Sequence, residues 1–276
     1  MSRELIMKAK RLSPEKLQKL LARERRFFIQ RKLNGIRAFW DGATLVSGSG
    51  KMTFDISCAH ITDTIRRLGV NLKFDGEIYK HGVPLQKLSG DIRQQQLTKD
   101  YLEFHIFDFQ SNLRFSDRIS ILHSISSEVK PPLKLVQTLT FDEHIPLTQE
   151  TIYAYYEMFL DEGYEGLMLR LDKPYSFGRK EGFMYKLKPE KEMDLILVGF
   201  NPATTSMHKD TFGSLRLRHP EYGWEVSCSG LDEETRRTIW LNRDTLIGTY
   251  VEIKYEELSN EGIPLRLKFS RLRFDK

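Results

Sequence analysis

A short charged connector, Pro189-Glu190-Lys191-Glu192, divides the chain into two stretches of different texture, and that division constrains the fold more than any other feature. Beyond it, Leu215 and Leu217 alternate with Arg216 and Arg218. Trp224, Val226 and Cys228 alternate with polar neighbours, and Val251, Ile253 and Tyr255 alternate with Glu252, Lys254 and Glu256. A period of two marks strands with one covered face. One helix interrupts them, with Asp232 placed as its cap. Several short strands and a single helix in so little chain predict a small antiparallel barrel.

The stretch before the connector reads differently. Ser13 and Pro14 form a helix-start signal, and Leu17, Leu20 and Leu21 follow at helical spacing, leaving Lys16, Lys19 and Arg23 on other faces. From Ile29 the pattern turns strand-like, and Asp41-Gly42 between two alternating runs predicts a hairpin. A helix through Ile61, Ile65 and Leu68 is closed by Gly69. Strands are expected around Leu72 to Tyr79 and Phe104 to Phe109, with helices from about Ser116 to Val129 and Thr148 to Leu160. The whole is α+β: a larger domain of antiparallel sheets and helices over 1–189, then a small β-barrel of OB-fold type over 190–276.

Composition excludes several function classes. No apolar run approaches the roughly 20 residues of a bilayer span, and the N-terminus is charged, so neither membrane insertion nor export is expected. Cys58 and Cys228 are the only cysteines, too few for a disulfide framework or a cysteine-based zinc site, which suits a cytoplasmic setting. The seven histidines lack metal-ligand spacing. Net charge is +5, but residues 1–37 carry twelve Lys and Arg against three Glu. That asymmetry points to a polyanionic partner, against the plainer reading of a solvated helix face.

Chemistry enters at Lys32-Leu33-Asn34-Gly35-Ile36-Arg37, a lysine two residues before an Asn-Gly turn. Four further segments follow in order: Asp75-Gly76-Glu77; Phe107-Asp108; Glu165-Gly166 with Met168 and Arg170; and Lys186-Leu187-Lys188. Together they resemble the ordered motifs of covalent nucleotidyltransferases, the superfamily of DNA ligases, RNA ligases and mRNA capping enzymes. Residues 230–255 look like the OB-domain segment of minimal viral DNA ligases, and residues 266–276, RLKFSRLRFDK, like the ligase sixth motif. The chain is thus identified as resembling ATP-dependent DNA ligases, those of algal-virus type most closely.

The resemblance implies a covalent lysyl-AMP on Lys32, ATP and Mg²⁺ as cofactors, nicked duplex DNA as partner, and a monomer; it names no partner protein. A free lysine, with a pKa near 10.4, is neutral in only about one molecule in 2,500 at pH 7, so a nucleophilic one needs cations beside it. Lys186, Lys188 and the metal would supply them. By the same resemblance Glu77 holds the ribose, Phe107 stacks on adenine, and Glu165, with Glu77, serves the metal. Gln30 accepts a hydrogen bond from the adenine amino group. Arg37 and Arg179 meet the AMP and the nick phosphate, and Arg271, Arg273, Asp275 and Lys276 orient the leaving pyrophosphate. Leu265, Leu267 and Phe269 share one parity and Leu272 and Phe274 the other, so a bulge near Ser270 is expected to re-aim Arg271 and Arg273.

Three positions depart from the family pattern. Asn34 stands where Asp is usual, Gly48 where an arginine contacts the nick strand, and Gln30 where Glu is common. The segment from Phe200 to Trp224 is also too short for the long hairpin with which algal-virus enzymes close on DNA, which shifts duplex binding toward the basic N-terminus. An RNA ligase or a capping guanylyltransferase would share Lys32, Glu77, Glu165 and Lys186; the C-terminal segments favour DNA. A third reading, suggested by Asn34 and Gly48, is an inert nucleic-acid-binding module on the same fold. NAD-dependent ligases share only the core motifs and add a Cys₄ zinc site that two cysteines do not build.

Overall fold

The computed structural model describes residues 6–94, 99–177, 182–204, 208–259 and 261–276. The chain forms two compact units, Met1–Lys188 and Pro189–Lys276. The first opens with β1 (Lys10–Arg11), α1 (Pro14–Arg23), β2 (Phe27–Lys32), β3 (Ile36–Trp40) and β4 (Leu45–Ser47). It continues through α2 (Ala59–Leu68), β5 (Phe74–Tyr79), α3 (Leu85–Arg93), β6 (Glu103–Phe109) and α4 (Phe115–Ser124). Then come β7 (Leu133–Leu135), β8 (Thr138–Phe141), α5 (Gln149–Asp161), β9 (Gly166–Leu171) and β10 (Met184–Leu187).

These strands make two five-stranded sheets, ordered β1-β10-β9-β2-β8 and β4-β3-β5-β6-β7. Antiparallel pairing dominates; β1 with β10 and β6 with β7 are parallel. Helix α1 starts as the Ser-Pro signal predicts, the Ser13 hydroxyl accepting from Lys16 N at 3.3 Å. Its Leu17 and Leu20 pack with Phe27, Ile29 and Leu169 of the first sheet and with Ile152 and Phe159 of α5. Each such leucine stabilises the fold by about 1.5–3 kcal/mol. Because side chains alternate along a strand, the other face of β2 carries Phe28, Gln30 and Lys32. The second sheet buries Ile78, Phe104 and Ile106 against Ile61, Ile65, Leu88 and Ile92 of α2 and α3.

Two expectations need correction here. The helix from Ser116 ends at Ser124, not Val129, because Ser124 spends its hydroxyl on the Ile121 carbonyl and the chain turns through a serine-rich segment of low helix propensity. Helix α3 and strands β7 and β8 had no sequence signal strong enough to name.

The second unit contains β11 (Lys191–Asn201), β12 (Ser214–Arg218), β13 (Glu225–Cys228), α6 (Glu233–Leu241), α7 (Arg243–Leu246) and β14 (Tyr250–Tyr255). Its last strands are β15 (Glu257–Leu258), β16 (Pro264–Leu265) and β17 (Lys268–Arg273). The five-stranded sheet runs β13-β12-β11-β14-β17, and a bridge between Ser229 and Lys268 links its outer strands. Asp232 caps α6 by accepting from Thr235 N at 2.8 Å. The expected bulge is present: Glu252 pairs with Arg271 and Ile253 with Phe269, so Ser270 is the extra residue. Residues 219–224 make only a short link between β12 and β13. No helix among the described residues is long and apolar enough to cross a membrane.

Candidate active site

Register places the site. In the first sheet Gln30 pairs with Met168 and Met168 with Lys186, so these three side chains form a row on one face. Lys32 pairs with Gly166, where φ is +145° and a Cβ would overlap the Leu187 carbonyl oxygen. Glycine there lets the strand after Glu165 run close to Lys32. The backbone pins it further, since Glu165 N donates to Lys32 O at 2.9 Å.

In the second sheet Arg37 pairs with Glu77. Between β5 and β6 the register slips: Asp75 opposes Asp108 while Gly76 opposes Ile106, leaving Phe107 as an extra residue. The bulge puts consecutive Phe107 and Asp108 on the site side. A cavity of about 360 Å³ results, lined among others by Gln30, Lys32, Arg37, Glu77, Phe107, Met168, Arg170 and Lys186, with Ile6, Met7, Lys8 and Ala9 along one side.

The charges are arranged in three groups. Lys32 Nζ donates to Glu165, whose other oxygen accepts from Lys188 Nζ at 3.2 Å, so one carboxylate is held by two lysines. Glu77 accepts from Gly35 N at 2.7 Å; burial pushes its carboxyl up, against the pull of Lys32 and Arg37. A Cβ at Gly35 would overlap the Ile78 carbonyl oxygen, so only glycine brings that N–H to Glu77. Deeper, Arg37 makes a two-pronged pair with buried Asp75, at 2.7 Å to each oxygen. Burial opposes the Arg37 charge, but Asp75 outweighs it and raises the guanidinium above its ordinary value. Burial and Asp75 together push the Tyr175 hydroxyl well up, so it stays protonated and donates to Asp75 at 2.6 Å. Asp108 in turn accepts from Arg118 at 2.7 Å and from Arg170 at 2.7 Å. Burial pushes Arg170 down, which Asp108 partly offsets.

The structure therefore gathers Gln30, Lys32, Arg37, Glu77, Phe107, Glu165, Lys186 and Lys188 in one place. Two of them are engaged differently from expectation. The Gln30 oxygen already accepts from Arg170 Nε at 2.8 Å, and Arg37 is spent largely on Asp75. Arg179 lies outside the described residues. Arg271, Arg273, Asp275 and Lys276 belong to the second unit, where Arg271 and Arg273 donate to Glu252 at 2.9 and 3.2 Å, Arg273 also pairs with Asp275 at 2.8 Å, and Lys276 donates to Asp194. Asn34 is exposed, and a Cβ at Gly48 would overlap Ile6, which fills the space an arginine would enter. Sequence reading missed Tyr175, Thr138, Arg118 and residues 6–9. None of them carries a signal of its own; the nearest clue was the change of phase from Phe104 and Ile106 to Phe109, which marks the bulge.

Comparison with known proteins adds lineage to this geometry. Residues 6–188 match the ATP dependent DNA ligase domain family. A DNA ligase of African swine fever virus (isolate Pig/Kenya/KEN-50/1950) is 28% identical over 266 residues, covering 87% of this chain and 62% of the viral protein. The chain thus spans under two thirds of that relative. Among solved structures, a chain named Pmar-Lig_PreS3 superposes with a TM-score of 0.81 at 20% identity, covering 98% of this chain and 68% of that one. A Lig E DNA ligase structure, described as DNA binding with a minimal scaffold, gives 0.74 at 20% identity over 97% of this chain and 98% of its own. At such identities the likeness speaks for the two-domain fold.

Proposed function

The chain belongs to the ATP-dependent DNA ligase family, and from that premise we propose that it carries AMP covalently on Lys32 and uses it to seal nicks in duplex DNA. Residues 1–189 act as the adenylation domain and 190–276 as the OB-fold domain. One observation carries the reading: Lys32 stands at a cavity that also presents Glu77, Phe107 and Lys186, with Glu165 and Lys188 against its ammonium.

The ammonium has no lone pair, so Lys32 gives up a proton and its bond to Glu165 before it attacks. Lys188 shares that carboxylate and keeps it in place as Lys32 leaves. Lys32 Nζ then bonds the α-phosphorus of ATP, and the bond to the bridging oxygen breaks, releasing pyrophosphate. An oxygen of the nick's 5′-phosphate next takes the AMP from Lys32. Finally the 3′-hydroxyl attacks the 5′-phosphorus, and AMP departs. Throughout, the protein aligns groups and neutralises phosphate charge, with Lys186 and Lys188 supplying cations.

Mg²⁺ is commonly held by one or two carboxylates plus phosphate and water oxygens. Glu165, and the Glu77 oxygen not bonded to Gly35, fit such a donor set, and a bound ion would add positive charge at the α-phosphate. Arg271, Arg273, Asp275 and Lys276 orient the leaving pyrophosphate, for which the basic groups must exchange Glu252 and Asp194 for phosphate.

The test is a label transfer. Protein incubated with [α-³²P]ATP and Mg²⁺ should carry label through denaturing electrophoresis, and Lys32→Ala should carry none. The labelled protein should then join nicked duplexes, all-DNA strands better than those with RNA on either side. A chain that never takes label ends the proposal.

A further inference from the structure

The hydrogen bonds around Gln30 run in one direction only. Its amide nitrogen donates to the Phe107 carbonyl at 3.1 Å and to the Thr138 hydroxyl at 2.8 Å. Thr138 passes its own proton to the Val136 carbonyl at 3.4 Å, which leaves its oxygen as the acceptor for Gln30. On the other side the Gln30 oxygen accepts from Arg170 Nε at 2.8 Å, and Arg170 is itself fixed by Asp108 at 2.7 Å. Turning the amide over would set oxygen against the Phe107 carbonyl and NH₂ against the Arg170 N–H, so the network decides the orientation.

Both amide protons are consumed, and the oxygen retains one lone pair at a cavity that Gln30, Arg170 and Phe107 all line. We propose that Thr138, Arg170 and the Phe107 carbonyl lock the Gln30 amide as an acceptor, so that the site selects a purine bearing a 6-amino group over one bearing a 6-oxo group. This rests on the reading that ATP enters this cavity. Thr138 is a positioning residue: it acts on the base only through Gln30. A site committed to accept a hydrogen bond rejects a ligand that offers a second acceptor, and such a mismatch is worth far more than a missing methylene.

Lys32 labelling with ATP and with ITP, which carries a 6-oxo group, reads the preference directly as a ratio of kcat/KM. Thr138→Val removes one acceptor from the amide and permits the turned-over state. Its ATP-over-ITP preference should fall by about tenfold, chiefly through a lower KM for ITP, while labelling by ATP persists. Thr138→Ser should restore the wild-type ratio. In Gln30→Glu the side chain has no donors to lock, so adding Thr138→Val to it should leave the ratio unchanged.

An unaltered ratio in Thr138→Val, or a shift of the same size in the Gln30→Glu background, overturns the lock while leaving adenylation of Lys32 intact. Wild-type protein that takes label from neither nucleotide overturns both the lock and the function on which it rests. Label retained with ATP in every variant, together with the expected pattern of ratios, supports it.

Discussion

Three guanidiniums, Arg37, Arg118 and Arg170, and two carboxylates, Asp75 and Asp108, lie beneath the cavity. Asp108 is fully buried and answers two arginines that are 1% and 3% exposed. Breaking such a pair leaves uncompensated buried charge at a cost of about 3–5 kcal/mol. Asp108→Asn should destabilise by that order in urea unfolding; a change under about 1 kcal/mol would show that water reaches the arginines. Glu103 offers a pH test. Burial works against its charge, but hydrogen bonds from Lys80, His105 and Lys134 prevail and bring its carboxyl from the ordinary 4.5 to about 2. A lowered acid contributes stability that is fully present above pH 4.5 and is lost as pH falls toward 2. Glu103→Gln should therefore flatten the acid limb of stability in that window and leave the profile at neutral pH with the same slope. Glu77 has the opposite sign: its raised carboxyl favours the ligand-free fold most at low pH, and that contribution falls as pH rises.

At the scale of elements, two bulges aim the functional side chains. Phe107 is the extra residue in β6 and Ser270 in β17, and each follows a change in apolar parity that the sequence displays. The motif lysines and glutamates were legible for a similar reason, because strand register needs only order and spacing to bring Lys32, Gly166, Arg37 and Glu77 into facing positions. Partner choice was not legible. Nothing in a linear string says that Arg170 turns to Gln30, or that Tyr175 donates to Asp75 from 100 residues away. Those bonds depend on which polar groups are buried together. The basic helix lends itself to a sharper test than the sequence allowed. Its Leu17 and Leu20 lie on the face of the first sheet opposite Gln30 and Lys32. Replacing Arg23, Arg25 and Arg26 together should weaken binding to nicked duplex and lower the salt slope by about one unit per lost phosphate contact. Labelling of Lys32 by ATP should be untouched. A salt slope equal to wild type would remove α1 from the DNA-binding surface.

At the scale of the whole molecule, the two units have separate apolar cores. Leu195, Leu215, Val251 and Ile253 close the second on α6 without a residue from the first. Every residue lining the cavity lies between Ile6 and Lys186, within the first unit. Ligand free energy therefore enters one core only. Differential scanning calorimetry should resolve two transitions, and α,β-methylene ATP, which cannot release pyrophosphate, should move only the one belonging to the larger unit. At a hundredfold excess over Kd the stabilisation is about 2.7 kcal/mol. For a unit of this size that corresponds to a rise of roughly 5–10 °C. The transition of the smaller unit should stay where it is, because its core gains no contact with the nucleotide. A single transition, or two that rise together, would mean that the units unfold as one, and the second unit would then stabilise the first even without DNA.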